Sequence, residues 1–157
     1  MSQIQRTGER LMALGIELPE PPKPVASYVP SVIIGNLCFT SGQLPLKDGV
    51  LVAQGAVGDT VSVEDAVAAA RQSILNCISV AAAAAGSVDR IKRVVKVLGF
   101  VQSDDTFHQQ PQVINGASDL LQEIFGDMGR HARSAVGTNA LPLDAAVEIE
   151  CIFELTE

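Results

Sequence analysis

The sequence is short of the residue types on which metal, disulfide and nucleic-acid chemistry usually depend. It has no tryptophan, one tyrosine, two histidines and three cysteines among 157 residues, and its 18 acidic residues outnumber its 11 basic ones. The formal net charge of −7 opposes binding to a phosphate backbone, because proteins bind that backbone through Lys and Arg side chains that displace its counterions. We therefore expect no nucleic-acid partner.

The cysteines exclude two further classes of protein. Cys38, Cys77 and Cys151 are odd in number and widely spaced, and each lies in an apolar segment. Because no CxxC pair is present, the sequence predicts neither a disulfide framework nor a zinc site. We expect three buried, reduced thiols that pack as small hydrophobic side chains.

Motifs for metals and nucleotides are also missing. His108 and His131 have no His or Cys partner three or four residues away, and the patterns HExxH, GxSxG, GxGxxG and the P-loop are absent. We expect no metal and no cofactor. His108 is predicted to lie at the surface, and His131 to brace a loop near Arg133.

Membrane signals are equally weak. No uninterrupted apolar run approaches the roughly 20 residues that a membrane span requires, and the first residues lack the apolar stretch of a signal peptide. We therefore expect a cytoplasmic protein without a membrane partner.

Length and composition suit one folded domain, since 47% of the residues are hydrophobic and 18% are charged. Residues 1–24 are predicted to form an N-terminal helix and a proline-rich strap. Residues 25–157 are predicted to form the single domain.

Two long helices interrupt the predicted strands. One begins at the N-cap Ser62 and ends at Gly86, and the second begins near Pro111 and ends at Gly126. The element order is helix, three strands, helix, strand, helix and two strands. This order predicts an α+β fold with a mixed six-stranded sheet, both long helices on one face and an additional N-terminal helix. The other face would be apolar and uncovered, which predicts oligomerisation.

The last segment, "GRHARSAVGTNALPLDAAVEIECIFE", is predicted to be a β-hairpin that turns at "LPLDA". In its second half, the odd-numbered residues from Val147 to Phe153 are apolar and alternate with Glu148, Glu150, Ile152 and Glu154. Arg133 would lie on the neighbouring strand. It could form an ion pair with one of these glutamates, or it could bind a substrate carboxylate while Glu148 handles a proton or a water. The spacing alone does not choose between these two roles.

Three segments resemble one known family: "SYVPSVIIGNLCFTSGQLPL", "INGASDL" and "ARSAVGTNALPLDAAVEIE". They are similar to the reactive intermediate deaminase (RidA) family, also called the YjgF or endoribonuclease L-PSP family. The resemblance covers about residues 25–155. It implies a chorismate-mutase-like fold, a homotrimer with clefts between subunits, and hydrolysis of 2-imino acids to 2-keto acids and ammonia without a cofactor.

The resemblance also assigns roles to individual residues. It implies that Arg133 binds the substrate carboxylate and that Glu148 positions water, and both are therefore predicted to be catalytic. The residues predicted to bind substrate are Tyr28, Gly35, Asn115 and Ala135. Ala135 stands where founding members commonly have cysteine, and the chain is similar to a longer-chain subgroup, so the substrate is left open.

Two other functions remain as alternatives at this point. One is a non-catalytic trimer that binds small carboxylates through Arg133 as a sensor or chaperone. The other is the RNA cleavage in the family's older name, which the net charge of −7 opposes.

Overall fold

The computed structural model describes residues 6–23 and 27–157. The described chain consists of three α-helices, seven strands and short 3₁₀ turns at Val88–Arg90, Gly126–Gly129 and Pro142–Asp144. The helices are α1 (Thr7–Ala13), α2 (Val63–Ala85) and α3 (Gln110–Phe125), and the strands are β1 (Ser31–Ile34), β2 (Leu37–Thr40), β3 (Leu46–Lys47), β4 (Val50–Leu51), β5 (Ile91–Gln102), β6 (Ala132–Thr138) and β7 (Val147–Leu155).

The described residues form a mixed main sheet of five strands in the order β1-β2-β7-β5-β6. Strands β5 and β6 are parallel, and the other neighbouring pairs are antiparallel. The α+β class and the mixed sheet are as predicted, but the count of six strands was wrong. The third of the three strands predicted before the first long helix is β4, which pairs instead with β3 in a separate two-stranded ribbon. Asp48 and Gly49 have φ values of 52° and 80°, which form the tight turn of that ribbon.

The predicted C-terminal hairpin was also wrong, because β5 lies between β6 and β7. Strand β6 follows β5 through α3 and therefore runs parallel to it, as a β-α-β crossover requires. The connection between β6 and β7 then crosses the end of β5. The Gln102 side chain holds this crossing, since its Oε1 accepts from the Leu141 backbone N–H at 2.7 Å and its Nε2 donates to Asp144 Oδ1 at 2.5 Å.

Helices α2 and α3 pack side by side on one face of the main sheet, as predicted. The Ser62 hydroxyl caps α2 by accepting from the Asp65 N–H at 3.1 Å, and Gly86 ends it at a φ of 88°. Helix α2 is long and apolar enough to cross a membrane by those two criteria, but 67% of its most apolar window is buried inside the protein. The predicted core residues of β7 and the three cysteines are all buried in this layer: Val147, Ile149, Cys151, Phe153, Cys38 and Cys77.

The opposite face of the main sheet, called the open face below, carries no helix within the described residues. Its large side chains are mostly apolar, and four of them are exposed by 37% to 65%. This face therefore has the uncovered apolar character that the sequence predicts. The apolar residues are Val32, Ile34, Leu37, Phe39, Leu98, Phe100, Val136 and Ile152.

The N-terminal segment packs onto the same domain. In α1, Leu11 is buried and the Gly8 N–H donates to Asp89 Oδ1 at 2.8 Å. The following strap is held to α2 by a hydrogen bond from the Ser79 hydroxyl to the Pro19 carbonyl. The predicted boundary between residues 24 and 25 lies outside the described residues, so that division of the chain stays a prediction.

Candidate active site

Arg133 is held in place by helix α3. It lies on β6 opposite Val97, whose side chain is buried against the helices, so Arg133 points to the helix face of the sheet. Its Nη1 donates to Asn115 Oδ1 at 2.8 Å and to Ser118 Oγ at 3.1 Å. Its Nη2 donates to the Pro111 carbonyl at 3.3 Å. Three contacts from one helix fix the plane of the guanidinium.

The same contacts leave one edge of the guanidinium available. Both hydrogens of Arg133 Nη1 are used, but Nη2 uses one of its two and Nε donates to none of the described residues. Arg133 and Asn115 line a surface cavity of about 440 Å³, called the Arg133 cavity below. Its other lining residues are Ser118, Asp119, Gln122, Arg130 and His131. An available N–H edge in a polar cavity is suited to a carboxylate.

His131 lies beside this arginine and is half-buried. Its Nδ1 is 2.6 Å from the Gly129 carbonyl, and its Nε2 is 3.0 Å from Ser118 Oγ. Burial lowers the pKa of His131, the hydrogen bond to Gly129 opposes that change, and the charge of Arg133 lowers the pKa further. His131 therefore contacts the loop at Gly129 near Arg133, where the sequence predicts it, and also contacts Ser118, a partner of Arg133.

Glu148 lies on the open face, half-buried near the middle of the sheet. Burial and the neighbouring charge of Glu150 raise the pKa of the Glu148 carboxyl. The carboxyl packs against Gly42, where a Cβ would overlap with Oε1 and would lie 2.9 Å from Cδ. A carboxylate with a raised pKa in a partly apolar setting is typical of a group that transfers protons.

Tyr28 lines a second and larger cavity, called the strap cavity below. This cavity has a volume of about 640 Å³, and its walls include the strap from Pro19 to Lys23 together with Gly42. Gly42 therefore both contacts Glu148 and lines the strap cavity. The Tyr28 side chain is 57% exposed.

Gly35 and Ala135 occupy less distinctive positions. Gly35 forms the turn between β1 and β2 with a φ of 60°, and nothing lies within 4 Å of a Cβ built on it. The turn alone explains a glycine there. Ala135 lies on the helix face of β6, two residues after Arg133, and packs partly against the core.

Within one chain, the structure brings Arg133 and Asn115 into contact and leaves Glu148, Tyr28 and Gly35 elsewhere. Arg133 forms no ion pair with a glutamate among the described residues, because all its contacts are with neutral acceptors on α3. The roles that the resemblance assigns to these residues stay predictions.

Sequence reasoning missed the contributions of Ser118 and Gly42. Ser118 follows Asn115 by three residues, so both lie on one face of α3 and reach the same arginine. Gly42 belongs to the segment "SGQ", and only the structure reveals that its missing side chain leaves room for Glu148.

The described residues contain no group of three His, Cys, Asp or Glu side chains that could hold a metal ion.

Comparisons with known proteins agree with this fold. The profile of the family described as "YjgF/chorismate mutase-like, putative endoribonuclease" matches residues 8–155, and the chain belongs to this family. Protein TCP17 from Trypanosoma cruzi is 44% identical over 151 residues, covering 96% of this chain and 94% of that protein. The crystal structure of the protein Atu1372 from Agrobacterium tumefaciens, whose function is unknown, has a TM-score of 0.88 and 44% identity, covering 96% of this chain and 92% of its own.

A third relative carries the name of an activity. A protein from Dermatophagoides farinae named 2-iminobutanoate/2-iminopropanoate deaminase is 30% identical over 139 residues, covering 87% of this chain and 92% of that protein. The family membership and the chorismate-mutase-like fold implied by the resemblance are thus confirmed.

Proposed function

We propose that this protein hydrolyses small 2-imino acids, and the enamines that tautomerise to them, to 2-keto acids and ammonia. The reaction needs no cofactor and takes place in clefts between the subunits of a homotrimer. The name of the Dermatophagoides farinae relative supports this activity, since the two chains align over most of their length.

The observation that carries the proposal is the fixed guanidinium of Arg133. Contacts with Asn115, Ser118 and the Pro111 carbonyl hold it, and Nε with one Nη2 hydrogen remains available in a cavity of about 440 Å³. A carboxylate can accept from both of these N–H groups at once. A substrate held in this way presents its neighbouring C=N carbon in one orientation, which lowers the entropic part of the barrier.

Glu148 supplies the proton transfers in this proposal. Its carboxylate takes a proton from water as the water oxygen forms a bond to the C=N carbon. With the imine nitrogen protonated at the start, the resulting carbinolamine receives that proton on nitrogen, its C–N bond breaks, and ammonia leaves as the hydroxyl proton returns to Glu148 and the C=O bond forms; Glu148 then passes this proton to the released ammonia. The raised pKa of Glu148 suits both steps, because a group that gives and takes a proton works best when its pKa is near the working pH.

A site with both residues requires a second copy of the chain. Arg133 faces the helices, whereas Glu148 lies on the open face, so one ligand cannot contact both within one subunit. The exposed apolar residues of the open face favour association between copies. In the proposed trimer, the Arg133 cavity of one subunit lies against Glu148 and Tyr28 of the neighbouring subunit.

The test uses 2-aminoacrylate generated in the assay by a serine dehydratase, with pyruvate and ammonia release followed over time. We expect the wild-type protein to accelerate release. Arg133→Ala and Glu148→Gln should each reduce the acceleration by tenfold or more, roughly the loss of one charged hydrogen bond or one proton-transfer group. Arg71→Ala is the matched control, because Arg71 is a partly exposed arginine on α2.

Binding separates catalysis from the sensor or chaperone alternative. Titration with 2-oxobutanoate in a calorimeter should give binding that Arg133→Ala abolishes and Glu148→Gln retains. Binding without any acceleration of pyruvate release would instead support a non-catalytic carboxylate-binding protein. Equal release by the wild type and Arg133→Ala would contradict the proposed activity on this substrate.

A further inference from the structure

We propose that His131 is a positioning residue for Arg133 and acts through Ser118. The inference adds a residue to the proposed site, and its effect on ligands rests on the proposed function. Its effect on the arginine itself does not rest on that function, which makes the two separately testable.

The hydrogen bonds of this group can run in only one direction. Arg133 Nη1 can only donate, so Ser118 Oγ accepts from it at 3.1 Å. The Gly129 carbonyl can only accept, so His131 Nδ1 carries the proton and donates to it at 2.6 Å. In the neutral ring, His131 Nε2 is then the acceptor for the Ser118 hydroxyl, 3.0 Å away. The Gly129 carbonyl thus sets the Nδ1–H tautomer of the neutral ring, and the bond from Arg133 leaves the Ser118 hydrogen free to donate to Nε2.

The two groups that contact the imidazole both belong to buried residues. Gly129 is packed tightly against α3, where a Cβ would overlap with the Leu121 carbonyl oxygen. Ser118 is 7% exposed and lies in the middle of α3. His131 therefore transmits the position of a fixed carbonyl to a hydroxyl whose rotation would otherwise be free.

The orientation of the Ser118 hydroxyl matters because it determines which N–H groups of Arg133 remain available to a ligand. With its hydrogen on His131, Ser118 presents a lone pair to Nη1, and both Nη1 hydrogens are bound by α3. These bonds restrain rotation of the guanidinium, so Nε and the remaining Nη2 hydrogen stay available to a ligand in the cavity that Arg133 lines. The charged groups around His131 are Arg133, Arg130 and Asp119, all of which line the Arg133 cavity.

Two substitutions of His131 each retain one of the two hydrogen bonds of the imidazole ring and remove the other. His131→Asn places an amide near the Nδ1 position, so it retains the bond to Gly129 and loses the acceptor for Ser118. His131→Gln places an amide oxygen near the Nε2 position, so it retains that acceptor. A purely structural role in bracing the loop predicts that Asn is the better replacement. Positioning of Arg133 predicts that Gln is.

The first readout is nitrogen-15 NMR of protein labelled at histidine and arginine, without ligand. We expect His131 in the Nδ1–H form, and separate Nη resonances for Arg133 because its guanidinium rotates slowly. His131→Gln should retain the separate resonances, and His131→Asn should merge them by faster rotation. The Nε2–H form of His131, or identical Arg133 spectra in both variants, would overturn the inference even if the protein proves to be a deaminase.

The second readout is the dissociation constant for 2-oxobutanoate. We expect His131→Asn to weaken binding about fivefold, roughly one neutral hydrogen bond, and His131→Gln to stay within about twofold of the wild type. Ser118→Ala should weaken binding to a similar extent, and the double variant with His131→Asn no further, because the two residues act in one chain. Additive losses would contradict coupling. If the wild type binds no 2-oxobutanoate, the proposed function fails and the NMR result alone decides the role of His131.

Discussion

Arg133 and Glu148 lie on opposite faces of one sheet, with β5 between their strands. Arg133 is opposite Val97 and Glu148 is opposite Phe100, so they are three positions apart along β5 and two strands apart across the sheet. Their backbones are therefore separated by roughly 10 Å in each direction. A ligand that contacts both must lie between two copies of the chain, and this geometry links the proposed chemistry to self-association.

The first prediction concerns that association. Val136 is 42% exposed on the open face, opposite Phe100 in the same row as Glu148. Val136→Glu introduces a charge into the proposed interface, and desolvation of an unpaired carboxylate is costly. We expect light scattering to detect trimers for the wild type and mainly monomers for the variant.

Val50→Glu is the control for this substitution, because Val50 is 69% exposed on the separate β3–β4 ribbon. It introduces the same charge away from the open face and should leave the trimer intact. A trimeric Val136→Glu protein would place the interface elsewhere and would remove the argument that brings Arg133 and Glu148 together.

The features of this fold that neighbouring residues encode could be predicted from the sequence, whereas the pairing of distant strands could not. The limits of α2 depend on Ser62 and Gly86, and the burial of alternate residues in β7 depends on period two, so both could be predicted from neighbouring residues. The partner of β7 depends on β5, which lies about 50 residues earlier in the sequence, and no turn residue encodes that pairing. Arg133 and Glu148 therefore looked like neighbours on a hairpin.

The same distinction applies to the candidate site. Arg133, Glu148 and Asn115 were found from the residue types in motifs that resemble a family. The contribution of Gly42 could not be found in this way, because what matters there is the space that its missing Cβ leaves for a distant side chain.

The second prediction tests whether Glu148 needs the space that the missing Cβ of Gly42 leaves. In Gly42→Ala, the new Cβ would overlap with the Glu148 carboxyl and displace it. We expect a loss of deaminase activity comparable to that of Glu148→Gln, with unchanged binding of 2-oxobutanoate, because Arg133 is not disturbed. The double variant Gly42→Ala/Glu148→Ala should recover the thermal stability lost by Gly42→Ala, since the overlapping carboxyl is gone. A Gly42→Ala protein with full activity would contradict the proposed position of Glu148.

The third prediction separates the two possible roles of Gly35. Its φ of 60° is unfavourable for alanine, so Gly35→Ala should lower the free energy of unfolding by about 1 kcal/mol. Nothing lies within 4 Å of the added Cβ, so a role in the turn alone leaves the KM of the deaminase reaction unchanged. Denaturant titration and steady-state kinetics measure the two quantities. A raised KM would support the substrate-binding role that the resemblance implies.

The fourth prediction concerns the other support of Arg133. Asn115 accepts from Nη1 at 2.8 Å at the protein surface, so Asn115→Ala should weaken 2-oxobutanoate binding about tenfold, roughly one hydrogen bond to a charged group. The stability of the protein should change little because Asn115 is exposed. Glu123→Ala, an exposed residue further along α3, is the control. Calorimetric affinities that are equal for wild type and Asn115→Ala would show that Pro111 and Ser118 suffice to hold the arginine.

The fifth prediction follows from the raised pKa of Glu148, which burial and then the charge of Glu150 cause. A carboxyl whose pKa is higher in the folded state than in the unfolded state stabilises the fold less as pH rises, because the unfolded chain ionises more readily. Below the ordinary pKa of 4.5, Glu148 is protonated in both states and Glu148→Gln should match the wild type in thermal stability. As pH rises through the raised pKa, the wild type should become the less stable of the two.

Melting temperatures measured from pH 4 to pH 8 test this trend, with Glu17→Gln as the control for loss of an exposed carboxylate. The difference between Glu148→Gln and wild type should grow with pH and then level off above the raised pKa. If the wild type is instead the more stable protein at pH 8, ionised Glu148 has a stabilising partner in the assembled protein. Its pKa would then be lowered in that assembly, and a proton-transfer role at neutral pH would lose its physical basis.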